Sequence, residues 1–159
     1  MRRLAWDSIL SIPPSDKKGL EWVTTNLKPS DIVAHYNRSP FMAKSYARLM
    51  GHRIPEIESI ILQDGSAILD YARDVIKGRW RAGERVLLSG QCEAADIVYY
   101  AKDVIKGRWR EGEERIADDA SASLLYAREV LRSRFPAGET NISNSWAADD
   151  YNKFIDSLT

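Results

Sequence analysis

Apolar residues recur along this chain at the spacing of a helix that is buried on one side. In two stretches they stand at positions 4, 7, 8, 11 and 12 after a polar residue: Ile68, Tyr71, Ala72, Val75 and Ile76, and then Ile97, Tyr100, Ala101, Val104 and Ile105. This spacing places the apolar side chains on one face of a helix. Counting in the same way along the chain predicts long helices near residues 40–50, 65–77, 94–106, 120–133 and 145–157.

The helical pattern belongs to an internal repeat. Residues 71–81 read YARDVIKGRWR and residues 100–110 read YAKDVIKGRWR, and looser copies begin at Tyr46, Tyr126 and Tyr151. A shorter apolar patch, preceded by a glutamate, follows in each unit and predicts a second, short helix. Two helices of this size cannot bury their apolar faces alone, so neighbouring units are expected to stack.

The sequence therefore predicts an all-α fold, a short helical-repeat solenoid of about six two-helix units of ~25–29 residues each. In this interpretation residues 1–159 form a single helical-repeat domain. Residues 1–38 are a degenerate N-terminal cap unit, residues 39–143 hold the core repeats, and residues 144–159 form a C-terminal cap helix.

Polar residues and glycines predict where the long helices begin and end. Four residues that lie seven positions before a repeated tyrosine suit the N-cap, where a side-chain oxygen accepts from a free backbone amide: Ser39, Asp64, Asp119 and Asn144. Glu93 occupies the same position but is a poor cap, and it follows the insertion Gly90–Cys92. Gly78 and Gly107 are expected to end their helices in the left-handed conformation.

Composition and charge narrow the function classes. The 159 residues are 44% hydrophobic and 29% charged, as expected for one soluble globular domain. Basic and acidic residues both number 23, which argues against a protein that coats nucleic acid or anionic membrane. The single cysteine, Cys92, and the lack of an apolar run long enough for a signal peptide or a membrane span predict a cytoplasmic protein.

The repeated motif YA-x-x-V-I-K-G-R-W, read over roughly residues 39–146, is similar to tandem helical repeats of tailed-bacteriophage proteins. The resemblance implies a phage or prophage source, a helical-repeat fold and a location in the cytoplasm of the host bacterium. It brings no catalytic residues with it.

The most conspicuous candidate chemistry is the repeated Lys-Gly-Arg-Trp-Arg turn. Basic residues next to an aromatic ring can hold a nucleic-acid backbone and stack on a base. The alternative is that Trp80 and Trp109 fill space between packed helices, which Ile54 at the corresponding position favours because it cannot stack on a base in this way. Two roles remain possible for the arginines of the turn. They can bind a ligand, or they can form ion pairs with nearby acids such as Asp74, Glu84, Asp103 and Glu113.

Metal, cofactor and catalytic signatures are weak. His35, His52 and Cys92 lie in separate repeats and lack the sequence spacing of metal ligands. The sequence holds no glycine-rich phosphate loop and no dinucleotide fingerprint, and its paired aspartates fall at predicted helix starts. We therefore expect no metal, no cofactor and no enzymatic activity.

The remaining expectation is function by surface contact. The sequence favours a non-enzymatic module that binds a host or phage protein, as an inhibitor or adaptor acting, for example, on a bacterial defence component such as CRISPR or another anti-phage system. The alternative is a nucleic-acid-binding protein that uses the KGRWR turns. No membrane partner is expected, and the oligomeric state is left open. The candidate binding surface consists of Arg79, Arg81, Gln91, Arg108, Arg110, Asn141 and Asn144.

Overall fold

A computed structural model describes residues 16–158, and these residues form helices and turns without a β-strand. The α-helices of this part of the chain are α1 Lys17–Asn26, α2 Pro29–Tyr36, α3 Pro40–Met50, α4 Glu58–Ile61, α5 Gly65–Tyr71, α6 Arg81–Leu88, α7 Ala94–Tyr100, α8 Glu113–Ala117, α9 Ala120–Tyr126, α10 Glu139–Ser143 and α11 Ala148–Asp156. The all-α prediction is confirmed, while the stacking of repeats into a solenoid stays a prediction. Residues 1–15 of the predicted N-terminal cap unit lie outside the described range.

The chain divides into two compact units between Lys77 and Gly78. The first unit contains α1 to α5 and the second contains α6 to α11. From α3 onward long and short helices alternate in the order that the repeat predicts, once the π-helical turns that continue α5, α7 and α9 are counted. No described helix is both long enough and apolar enough to span a membrane.

Three of the four predicted N-caps are confirmed. The backbone N–H of Ala67 donates to Asp64 and that of Ala122 donates to Asp119, both at 2.7 Å, and Ser39 caps α3 in the same way. Asn144 was expected to cap the last long helix, but this prediction is wrong because α11 begins only at Ala148.

The sequence after α10 explains the missing cap at Asn144. The amide of Asn144 donates to the carbonyl of Thr140 at 3.0 Å, one turn back in α10. Ser145 then closes a turn of its own, since its hydroxyl donates to the Ile142 carbonyl at 2.8 Å and accepts from the backbone N–H of Ala147 at 3.1 Å. Local side-chain hydrogen bonds of this kind compete with helix formation.

Three of the long helices change their winding in the last turn. After α5, α7 and α9 the chain continues as a π-helix, over Ala72–Ile76, Ala101–Ile105 and Ala127–Leu131. Each π-helix ends at a basic residue with positive φ: Lys77 (58°), Lys106 (60°) and Arg132 (51°).

The left-handed residue was expected at Gly78 and Gly107, and the structure places it one residue earlier. The wider π turn is the reason, since it brings both the Lys106 and the Gly107 backbone N–H groups to the carbonyl of Ala101, the latter at 3.1 Å. These bonds satisfy the carbonyl groups that the α-helical pattern leaves free at a helix end.

The repeated residues form the core, as the packing interpretation predicts. Tyr71, Tyr100 and Tyr126 are fully buried, and so is the alanine that follows each of them. The residues at the aromatic position of the turn are also buried, at 1 to 3% exposure: Ile54, Trp80, Trp109 and Phe135. Buried aromatic rings of this size supply much of the packing energy of a small core.

Candidate functional site

The charged and aromatic residues of the KGRWR turn meet a tyrosine of the following long helix. In the second unit, Arg79 donates to both carboxylate oxygens of Glu84, at 2.8 and 3.0 Å. The Tyr100 hydroxyl donates to Glu84 at 3.2 Å and accepts from the backbone N–H of Trp80 at 2.8 Å. We call this arrangement of arginine, glutamate, tyrosine and backbone N–H an Arg–Glu–Tyr cluster.

The same cluster occurs at three further places among the described residues. Its members are Arg53, Glu58 and Tyr71 at the N–H of Ile54; Arg108, Glu113 and Tyr126 at the N–H of Trp109; and Arg134, Glu139 and Tyr151 at the N–H of Phe135. The earliest repeated tyrosine, Tyr46, differs because its hydroxyl donates to the carbonyl of Leu27 at 3.0 Å. The cluster is therefore a structural element of the repeat.

The cluster solves a hydrogen-bonding problem at the start of the short helices. The backbone N–H of Trp80 lies where the chain turns into α6, and it is buried with the ring. A buried N–H without a partner is costly, and the tyrosine hydroxyl supplies the acceptor. The same hydroxyl and the arginine satisfy the glutamate, whose carboxylate would otherwise be expensive to bury.

The electrostatics of the cluster follow from burial and pairing. Burial raises the pKa of Glu84, but hydrogen bonding to Arg79 and its positive charge, with help from Tyr100 and Arg81, outweigh burial and hold the pKa below its ordinary value of 4.5. Burial raises the pKa of Tyr100 to about 12, and the hydrogen bond from Trp80 opposes this while the charge of Glu84 adds to it. The carboxylate stays charged and the phenol stays neutral near neutral pH.

Several arginines of the predicted binding surface form ion pairs in or beside the clusters. Arg79 and Arg108 are committed to Glu84 and Glu113, so the ion-pair alternative holds for them. Arg81 also reaches Glu84, at 3.1 Å, while its side chain stays 71% exposed. Arg110 is exposed at the start of a 3₁₀ turn. Because Trp80 and Trp109 are buried, their rings are not available to stack on a base.

The other predicted surface residues occupy separate places. Gln91 is exposed in the insertion between α6 and α7. Asn141 lies on α10, and its amide donates to the carbonyl of Ala117 at 2.8 Å, which joins α10 to the end of α8. Asn144 follows α10 and is exposed. These three residues therefore belong to different loops and helices.

Exposed aromatic side chains are the feature that the sequence patterns did not single out. Trp146 is 72% exposed, Phe41 56% and Tyr99 41%. The signal for Tyr99 was present, since it adjoins the buried Tyr100 and therefore falls outside the repeated apolar positions. Trp146 lies in the turn before α11, where no periodic pattern applies.

Each of the two compact units has a groove between two consecutive long helices, near the N-terminal turns of those helices. In the second unit the groove lies between α7 and α9, encloses about 480 Å³, and is lined by Glu93, Ala94, Ala95, Tyr99, Asp119, Ser121, Ala122 and Leu125. In the first unit it lies between α3 and α5, encloses about 230 Å³, and is lined by Arg38, Ser39, Pro40, Phe41, Lys44, Asp64, Ser66 and Ala67. Equivalent places in the repeat thus carry different charges.

Metal-binding chemistry finds no support within residues 16–158. No group of three or more His, Cys, Asp or Glu side chains is arranged there to hold a metal ion. His35 and His52 are exposed on separate segments of the first unit, and Cys92 is half-buried in the second.

Comparison with known proteins leaves the function to be argued from the chain's own geometry. No protein-family model, no curated protein and no solved structure matches the sequence or the fold. The Arg–Glu–Tyr clusters, the exposed aromatic residues and the two grooves are therefore the observations on which a functional proposal depends.

Proposed function

We propose that this protein is a non-enzymatic protein-binding module, encoded by a phage or prophage, that acts as an inhibitor or adaptor by occupying a surface of a host protein such as a bacterial defence component. The observation that carries the proposal is the difference in burial between two groups of aromatic residues. From residue 46 to residue 151 the aromatic residues at the repeated tyrosine and turn positions are buried, whereas Phe41, Tyr99 and Trp146, which stand at other positions, are exposed.

Exposed aromatic residues suit protein recognition for a physical reason. Tryptophan and tyrosine bury a large area at low cost in side-chain entropy, and they are enriched among the residues that dominate interface energy. Exposing Trp146 at 72% lowers the stability of the free protein relative to burying it, so a partner that covers it recovers that energy.

The phage origin depends on the resemblance of the YA-x-x-V-I-K-G-R-W repeats. A small protein that works by surface contact needs no catalytic residues, which fits the use of the repeated Arg, Glu and Tyr side chains inside the fold. The nucleic-acid alternative loses its stacking platform because Trp80 and Trp109 are 3% and 2% exposed. Two of the four arginines in its turns, Arg79 and Arg108, are also paired with glutamates, which leaves Arg81 and Arg110 as the exposed cations.

The test is affinity capture from bacterial lysates with the wild-type protein and a matched variant. The variant combines Phe41→Ala, Tyr99→Ala and Trp146→Ala, which remove exposed rings and are expected to leave the melting temperature nearly unchanged. We expect the wild type to retain one protein in stoichiometric amount, resistant to nuclease, and the variant to lose it.

Two results would contradict the proposal. One is the absence of any stoichiometric protein partner across lysates of the candidate hosts. The other is salt-sensitive binding of DNA or RNA in gel-shift titrations that disappears when Arg81 and Arg110 are changed to alanine, since affinity carried by phosphate contacts falls steeply between about 50 and 200 mM salt.

A further inference from the structure

We propose that the groove between α7 and α9 is the docking site, and that it takes a partner segment presenting a lysine or arginine next to an apolar side chain. The inference rests on the proposed function and makes it more specific, because it names the surface and the chemistry of the partner. Three observations carry it: the shape of the groove, its charge, and its difference from the equivalent groove of the first unit.

The shape suits a short piece of chain. Small side chains, among them Ala94, Ala95 and Ala122, line the groove and keep it open between the two helices. Tyr99, at 41% exposure, and the half-buried Leu125 add apolar surface. The groove is an open surface depression with a volume of about 480 Å³. The groove can therefore accept one or two side chains of a partner.

The charge of the lining is acidic. Glu93 and Asp119 are both exposed at the starts of α7 and α9, where one oxygen of Asp119 accepts the capping bond from Ala122, and no lysine, arginine or histidine is among the lining residues. Tyr99 lines the same groove, and the face of an aromatic ring attracts cations. A lysine or arginine side chain fits this combination because its aliphatic stem packs on apolar surface while its charged end meets the carboxylates.

The first unit shows that helix packing does not require an acid at the position of Glu93. There the equivalent groove is lined by Arg38, Lys44 and Asp64. Asp64 corresponds to Asp119, but Ser39 stands at the position that Glu93 occupies in the second unit. Ser39 caps its helix, whereas Glu93 makes no side-chain capping bond to α7. Glu93 thus stands at a capping position without capping, so its carboxylate is free to serve recognition.

The direct test uses two short peptides as probes in heteronuclear NMR titrations of the full chain. One peptide has the sequence Gly-Lys-Leu-Lys-Gly and the other Gly-Glu-Leu-Glu-Gly, both with blocked ends. We expect the lysine peptide to shift the amide signals of Ala95, Tyr99 and Ser121, and the glutamate peptide to leave them in place.

The matched variants separate the groove from general acidity. Glu93→Gln with Asp119→Asn removes both charges while asparagine still caps α9. We expect it to weaken binding of the lysine peptide about three- to tenfold, as two exposed charge pairs allow. Glu114→Gln with Asp149→Asn removes the same charge from exposed positions outside the groove and is expected to change the affinity less than twofold.

The outcomes distinguish this inference from the proposed function. Equal binding of both peptides, shifts confined to other surfaces, or equal weakening by the control pair would overturn the docking site. If the captured partner still binds the Glu93→Gln, Asp119→Asn protein with wild-type affinity, the groove is not the interface, although protein binding stands. If the lysine peptide binds the groove but no protein is captured from any host, the proposed function fails instead.

Discussion

One hydroxyl group in each Arg–Glu–Tyr cluster serves two parts of the chain at once. The Tyr100 hydroxyl accepts from the backbone of Trp80 and donates to Glu84, so it joins the start of α6 to α7. A phenol suits this task because its single oxygen can donate and accept, and its ring fills the core beneath. Both parts of the repeated tyrosine side chain therefore stabilise the fold: the ring packs in the core and the hydroxyl links two segments by hydrogen bonds.

Replacing Tyr100 with phenylalanine isolates the hydroxyl. The change leaves the buried N–H of Trp80 without its acceptor and removes one donor from Glu84, so we expect the free energy of unfolding to fall by about 1–3 kcal/mol. Urea denaturation measures this loss. Tyr99→Phe is the control, since its exposed side chain should change stability by less than about 0.5 kcal/mol. Equal effects of the two changes would refute the role of the hydroxyl.

The lowered pKa of Glu84 predicts how the free energy of unfolding depends on pH. Its pKa in the folded protein is held below 4.5, because pairing with Arg79 and the other donors outweighs the opposing effect of burial. A lowered pKa means that its contribution is complete above the unfolded value of about 4.5 and disappears as pH falls through the folded value.

We expect the free energy of unfolding, measured in urea at a series of pH values, to decline below about pH 5. The Glu84→Gln variant should be less stable at neutral pH, because it replaces a charged partner of Arg79, but its stability should decline less steeply in acid. Parallel curves for the wild type and the variant would show that Glu84 does not govern this range.

At the scale of elements, close approach between helices depends on one glycine in each of two turns. A Cβ atom at Gly112 would lie 2.6 Å from Cγ2 of Ile97 and 3.2 Å from the ring of Trp109, both buried. At Gly138 it would lie 2.3 Å from the Ser123 hydroxyl. The turn before the short helix therefore packs directly on the preceding long helix.

Gly112→Ala is expected to lower stability by about 1–3 kcal/mol, the usual cost of overpacking a core. Thermal unfolding of the variant measures the loss. Gly107→Ala is the matched control from the same repeat, because a Cβ there would meet no non-neighbouring described atom within 4 Å and the backbone φ is not positive. A destabilised Gly107→Ala with an unchanged Gly112→Ala would reverse the argument.

The helices and the core could be predicted from the sequence, because the 3.6-residue period and the repeated tyrosines report directly on burial. The π turns could not, since one extra residue near a helix end shifts only the last apolar position. This is why the left-handed residue was expected at Gly78 although Lys77 adopts it. The pairing of Arg79 with Glu84 was among the alternatives, but the hydroxyl of Tyr100 was not, because the tyrosine lies 16 residues beyond the glutamate.

At the scale of the whole molecule, the clusters are distributed unevenly between the two units. Among the described residues, the unit that ends at Lys77 contains the cluster at Ile54, and the unit that begins at Gly78 contains those at Trp80, Trp109 and Phe135. All the members of each cluster belong to the same unit. Each unit therefore carries its own internal hydrogen-bond framework.

This distribution predicts that residues 78–159 fold when expressed alone. We expect a helical circular-dichroism spectrum and one cooperative urea transition, because the three clusters and their buried tyrosines are all present. Residues 1–77 should be less stable under the same conditions. A fragment 78–159 that unfolds gradually, or that is less stable than residues 1–77, would contradict this expectation.

The placement of each cluster also has a consequence for the gene. Residues 71–81 and 100–110 are almost identical, and each stretch ends just after a cluster arginine and before its glutamate. An unequal crossover between the two stretches can remove residues 82–110. Arg79 then stands five positions before Glu113, which is the spacing of every described cluster, and Tyr126 follows 13 residues after that glutamate. Repeat number can thus change by recombination while the junction inherits a complete cluster. The same deletion removes the α7 side of the groove, including Glu93 and Tyr99, so a change in length can remove the proposed docking site and still preserve the hydrogen-bond framework.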